Sequence, residues 1–177
     1  MRIRCYPDPV LTQPAAEVTE IDGRLVEVCR EMLQAMHEAA GIGLAGPQVG
    51  LSRRVLVLNL AGGEPQGEIA VVNPVVLERH DVAEVEEGCL SFPGLYSKIT
   101  RSAKVVVKAY DLNGREVQFA AEGLAARLWQ HEIDHLDGVL LINRMTPTRR
   151  LGAARRLKEL ERDYEQVLAE SGGRRAT

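Results

Sequence analysis

Between residues 25 and 40, apolar side chains recur at Leu25, Val28, Cys29, Met32, Leu33, Met36, Ala39 and Ala40, a spacing of three and four that aligns them on one stripe of a helix. Asp22 is placed to cap its start and Gly41 to end it. The pattern then changes. Segments 54–60, 69–77, 82–86 and 104–110 are rich in β-branched residues and read as strands, punctuated by Gly62, Gly63, Pro65 and Gly67. Asn113-Gly114 predicts a hairpin turn into a further strand over 116–120. Residues 123–136 lack proline and carry Leu124, Leu128, Ile133 and Leu136 among alanines, which predicts a second helix ended by Asp137-Gly138. A third, amphipathic helix is expected over 148–170, after Pro147, with Leu151, Ala154, Leu157, Leu160, Tyr164 and Leu168 on its inner face. Residues 171–177 read as a frayed tail.

Helices at both ends of a block of short, hairpin-compatible strands predict an α+β fold, with antiparallel and mixed strands packed around the helix 123–136. A chain of 177 residues suits one compact domain, expected over 1–170. With 45% apolar and 27% charged residues, the disordered, collagenous and membrane classes are excluded by composition. No apolar run approaches the roughly 18 residues needed to cross a bilayer, and Met1-Arg2-Ile3-Arg4 opens no hydrophobic signal core, so a cytoplasmic protein is expected. Cys5, Cys29 and Cys89 are odd in number and irregularly spaced, which argues for reduced thiols rather than a disulfide framework. Charge is uneven: from Arg144 onward nine basic residues face five acidic ones, leaving 13 against 20 in the remainder. This asymmetry fits either a solvated helix face or an anionic partner at the C-terminal end.

The chemistry concentrates in Gln130-His131-Glu132-Ile133-Asp134-His135. Two histidines four apart on a helix differ by only ~40° around the axis and ~6 Å along it, so both imidazoles can reach one metal. That makes 123–136 a central metal-binding helix. Glu132 falls between them, where metallohydrolases with this pattern place a proton-shuttling carboxylate. An open catalytic centre normally takes a third protein ligand. His37 ends an amphipathic helix and His80 sits in a charged strand end, positions of surface or capping residues. Cys5 lies in a proline-rich segment and Cys29 on the helical core stripe. Cys89 differs, following a strand in Glu86-Glu87-Gly88-Cys89-Leu90-Ser91 with glycine beside it and a turn after it. The glycine-rich run Gly41-Ile42-Gly43-Leu44-Ala45-Gly46-Pro47-Gln48 lacks the Lys-Ser/Thr ending of a phosphate loop; a helix end turning into a strand explains its glycines but leaves Gln48 without a purpose.

Together these three stretches, in this order, resemble the peptide deformylases, as does the opening Tyr6-Pro7-Asp8-Pro9-Val10-Leu11. The resemblance implies a hydrolase of protein biosynthesis and N-terminal processing that removes the N-formyl group from the initiator methionine of new polypeptides and releases formate. It implies one divalent ion held by Cys89, His131 and His135, with water in the fourth position. That ion would be ferrous, with zinc, nickel or cobalt as substitutes; a thiolate ligand by itself does not choose among them. Glu132 would act as general acid/base, and Gln48 and the Leu90 backbone N–H would bind the developing oxyanion. Ile42, Gly43, Leu124 and Leu128 would wall the methionine side chain, and Glu87, Gly88 and Tyr96 would border the substrate. The implied partners are N-formylmethionyl nascent chains and, through the basic C-terminal helix, the ribosome; no membrane and no DNA are expected.

Two departures stand out. Gly46 replaces an alanine of the family pattern, which predicts a looser loop around Gln48. Tyr96 occupies a position where some members carry arginine, so no charged contact to the substrate is expected from it. Trp129 reads as core packing. The competing readings are a His-Glu-x-x-His zinc peptidase, which needs a histidine or glutamate ligand downstream, and a non-catalytic metal site. No histidine follows His135, and Glu159, Glu161 and Glu165 lie on a charged helix.

Overall fold

The computed structural model describes residues 1–61 and 67–173, with side chains through 170. Helix α1 (Gly23–Glu38) begins where Asp22 accepts a 2.7 Å hydrogen bond from the Leu25 N–H, satisfying one of the donors a helix start leaves free. Its end is not at Gly41 as expected. Ala40 takes the left-handed turn (φ 52°), and the N–H groups of Ala40 and Gly41 close back on the His37 and Met36 carbonyls. Gly41 serves packing instead, since a Cβ there would lie 2.7 Å from Leu90 Cδ1.

Seven strands follow: β1 (Gly43–Ala45), β2 (Val55–Asn59), β3 (Glu68–His80), β4 (Ala83–Gly88), β5 (Tyr96–Arg101), β6 (Lys104–Tyr110) and β7 (Glu116–Glu122). Five of them form an antiparallel sheet in the order β1-β2-β3-β6-β7, while β4 and β5 pair separately. Parallel pairing is confined to an isolated bridge between Ala16 and Arg53, so the mixed component is slight. β1 and β5 escaped the sequence pattern: one is three residues long, and the other alternates Ser97, Ile99 and Arg101 inward, with only one apolar residue among the three. β2 is buried at all five positions because helices cover both faces of the sheet. Val55 and Val57 meet the Leu25–Met36 stripe of α1, and Leu56 and Leu58 meet Leu128, Trp129 and Ile133 on the other side. The expected turn joins β6 to β7, with Asp111 Oδ1 accepting from the Asn113 and Arg115 N–H groups and Gly114 at φ 76°.

Helix α2 (Gly123–Leu136) is buried from Leu128 onward and stops at Gly138 (φ 71°). Short helices α3 (Leu141–Arg144) and α4 (Pro147–Gly152) lead into α5 (Ala154–Gly173). The single helix expected after Pro147 is thus broken at Ala153, which caps α4. The break offsets α4 from α5, so Leu151 (77% exposed) does not share the inner face that Leu157 and Leu160 keep; Leu168, farther along α5, is 52% exposed. Ala153, Leu157 and Leu160 pack instead against Phe92, Leu95 and Ile99, in a third core under the β4–β5 pair. The backbone stays helical through residue 173, beyond the expected fraying point; residues 174–177 and the punctuating Gly62, Gly63 and Pro65 lie outside the described residues. No helix among the described residues is long and apolar enough to cross a membrane.

Candidate active site

α2 brings His131 and His135 into the interior, 8% and 1% exposed, with ring centroids 5.1 Å apart. Cys89 arrives from the end of β4. A turn closed by the Phe92 N–H on the Cys89 carbonyl (2.9 Å) directs its Sγ to 3.2 Å from His135 Nε2. Ligand atoms of the three residues all lie within 4.8 Å of one another, the one such group among the described residues. His37 and His80 are exposed and pair with Glu68 and Glu78, and Cys29 belongs to the α1 core. Cys5 stops at the Leu90 carbonyl, 3.9 Å away.

The cluster is charged. Burial by itself would raise the Cys89 thiol, but the His135 and His131 imidazoles outweigh it and hold the thiol well below its ordinary range. Burial would lower His131, yet Cys89 and Glu87 hold it well above the usual imidazole value. A thiolate and two imidazoles within coordination distance form a donor set suited to a borderline-soft divalent cation.

Glu132 lies beside this group, 3% exposed. Its Oε2 has no hydrogen-bond partner among the described residues, and burial holds its carboxyl above the ordinary value against the opposing pull of both imidazoles. An unpartnered buried carboxylate costs stability, and such groups concentrate where a reaction uses them. Gly43 makes room for it, since a Cβ at that position would sit 2.5 Å from Glu132 Oε1.

Gln48 finds its purpose here. Its Oε1 accepts from the Ala45 N–H (2.8 Å), which sets the amide so that Nε2 faces Ser91 Oγ (3.2 Å) and Cys89 Sγ (3.7 Å). The loop that carries it is not loosened by Gly46. That glycine is buried, and a Cβ would meet the carbonyl oxygens of Arg53 at 2.6 Å and Leu51 at 2.7 Å. Close backbone approach is its role.

Glu87 lines the cleft and also makes a set of buried contacts. It is 5% exposed, and its carboxylate is engaged by Arg101 Nε (2.7 Å), Arg101 Nη2 (3.0 Å) and His131 Nδ1 (3.1 Å). Arg101 thus engages both carboxylate oxygens, and Oε2, which also meets His131 Nδ1, orients that ring. Arg101 continues to Asp134 (2.8 Å), which Arg144 also grips. The sequence reading missed this network, in which buried Arg101 and Asp134 are joined by the exposed Arg144. Its one local signal is an arginine at the inward phase of an alternating strand, which demands a buried anion.

A cleft of about 670 Å³ opens over the centre. Ile42, Gly43, Leu124 and Leu128 supply apolar wall, and Gln48, Gly88, Leu90, Tyr96 and Glu132 line it as well. His135 lies behind Cys89 and does not reach the cleft surface. Tyr96 is 67% exposed, and a Cβ on Gly88 would meet its ring at 2.6 Å.

The family model for polypeptide deformylase matches residues 1–151. The peptide deformylase of Acidobacterium capsulatum is 44% identical over 161 residues, 90% of this chain and 95% of that protein. The Thermotoga maritima enzyme is 43% identical over 166 residues, 93% and 99% of the two chains. Crystallised Plasmodium falciparum peptide deformylase superposes with a TM-score of 0.89 at 39% identity, covering 93% of this chain and 98% of its own. The Thermus thermophilus structure gives 0.84 at 38%, covering 91% and 97%. A family model spanning both halves of the ligand set, and relatives that align over nine-tenths of the chain, carry one conclusion: this hydrolase belongs to the polypeptide deformylase family.

Proposed function

We propose that the protein hydrolyses the N-formyl group of formylmethionyl nascent polypeptides in a metal-dependent reaction that releases formate, at a centre held by Cys89, His131 and His135. One observation carries the reading: three ligand atoms converge within 4.8 Å of one another beside a buried carboxylate oxygen that has no partner among the described residues. When bound, a divalent cation would polarise the formyl oxygen and acidify water near neutral pH. Ferrous iron suits this thiolate–imidazole set, with zinc, nickel or cobalt as substitutes.

The chain's own groups do the rest. Glu132 Oε2 takes the proton of the attacking water and returns it to the departing nitrogen; burial raises its carboxyl toward the range where both transfers are feasible at neutral pH. Gln48 Nε2 and the Leu90 backbone N–H are assigned to the oxyanion, each donor worth about 3 kcal/mol in comparable sites. Glu87, fixed by Arg101, holds the His131 ring. Ile42, Gly43, Leu124 and Leu128 form the pocket for methionine, with Gly88 and Tyr96 along the substrate's path. The substrate places the reaction in the compartment of protein synthesis, and the cations of α4 and α5, Arg149 and Arg150 among them, are assigned to the ribosomal surface, an attraction that should fall with salt.

Formate release from formyl-Met-Ala, measured anaerobically with and without a chelator, tests the reaction; activity that survives complete metal removal overturns it. Cys89→Ala should lose bound metal, and full occupancy would instead favour the zinc-peptidase reading. Glu132→Gln should keep metal and lose at least ~10²-fold in kcat; an unchanged kcat would remove Glu132 from the proton transfers, and metal bound without turnover in either protein would leave only a structural site.

A further inference from the structure

We infer that Arg127 selects for an acidic side chain at the second residue of the formylated substrate, a specificity that rests on the deformylase reading above. Residues 124, 127, 128 and 131 of α2 all line the cleft. Among the described residues lining it, Arg127 is the sole lysine or arginine. It stands one helical turn before His131, about 6 Å along the axis. An extended peptide advances about 3.3 Å per residue, so a chain whose formyl group sits at the His131 level reaches Arg127 about two residues later.

The guanidinium is held for this purpose. Arg127 is half-buried, and its Nη1 donates to the Glu86 carbonyl across the cleft (3.1 Å), which fixes the fork between α2 and β4. A guanidinium has five N–H donors in fixed geometry, so most remain available to a carboxylate. Three carboxylates line the same cleft: Glu86 lies opposite Lys98 in the β4–β5 register, Glu87 is held by Arg101 and His131, and Glu132 is buried beside the ligand set. Tyr96 offers an exposed ring and no cation. Positive charge in this cleft therefore comes from the metal-binding helix itself.

Three amide-capped peptides test the inference: formyl-Met-Glu-Ser, formyl-Met-Gln-Ser and formyl-Met-Lys-Ser, with Glu and Gln nearly isosteric. Iron-loaded enzyme in low salt should favour Glu over Gln by about five-fold in kcat/KM, the upper end for a partly exposed ion pair. The preference should reside in KM, shrink in high salt and disfavour Lys. Product peptides without the formyl group should show the same order of Kd by calorimetry. In Arg127→Gln the Glu:Gln ratio should fall to near one in both measurements, and Arg127→Lys should restore part of it. Equal kcat/KM and equal Kd for the Glu and Gln peptides in the wild type, or a ratio that persists in Arg127→Gln, overturns the inference. Failure to deformylate all three peptides would overturn the deformylase reading and the inference with it.

Discussion

Gly43→Ala separates two roles that one glycine could have in the cleft. The added Cβ would lie 2.5 Å from Glu132 Oε1 and 2.6 Å from Leu128 Cδ1, where ordinary contact begins at 3.4 Å. The carboxylate must therefore retreat by about 0.9 Å. Both obstructing atoms are ends of side chains, so the backbone of β1 need not move and the fold should survive. A displacement near 1 Å of a proton-transferring group costs up to about 10²-fold in rate, or about 2.7 kcal/mol of transition-state stabilisation. Steady-state kinetics on formyl-Met-Ala should show this loss in kcat, with metal content unchanged and the melting temperature within a few degrees of wild type. A variant with intact kcat and a raised KM would mean that Gly43 only walls the methionine pocket and that the placement of Glu132 does not depend on it.

Arg101→Met removes the cation shared by buried Glu87 and Asp134, leaving Glu87 only His131 and Asp134 only Arg144, and denaturant unfolding should show a loss of about 3 kcal/mol; a loss below about 1 kcal/mol would contradict the burial argument. Gly46→Ala should destabilise by about 1–3 kcal/mol, because two backbone oxygens lie within 2.7 Å of the new carbon; a stabilised variant would revive the view of Gly46 as a source of looseness. Burial pushes the Cys29 thiol from 9.0 up to about 11. The folded state therefore keeps its proton where the unfolded state has released it, so stability is unaffected at neutral pH and falls as pH climbs from about 9 to about 11. Thermal melts of wild type and Cys29→Ala across that window should differ progressively, and a constant difference would refute the assignment.

Periodicity along the chain already located α1, α2 and most of the long strands, because each has a local repeat and local stop signals: Asp22, Asn113-Gly114 and Asp137-Gly138 act within a few residues of the elements they bound. The histidine pair was equally legible, since the i, i+4 geometry belongs to the helix itself. The choice of Cys89 was not local; it came from reading three separated motifs together. Other features were invisible from sequence because their cause lies across the fold. Gly46 reads as flexible until the carbonyls of Leu51 and Arg53 are seen pressing on it. The hold of Glu87 on His131 goes unseen until β5 delivers Arg101 from 14 residues away. Leu151 could not be separated from the inner face of Leu157 and Leu160 while the break at Ala153 was unknown, since the interruption rotates one helix against the other. Local backbone preferences thus determined the elements and the ligand helix. Burial and charge pairing between distant segments decided which glycines are tight, which carboxylates are paired, and that Glu132 Oε2 has no hydrogen-bond partner among the described residues, beside the thiolate and the imidazoles.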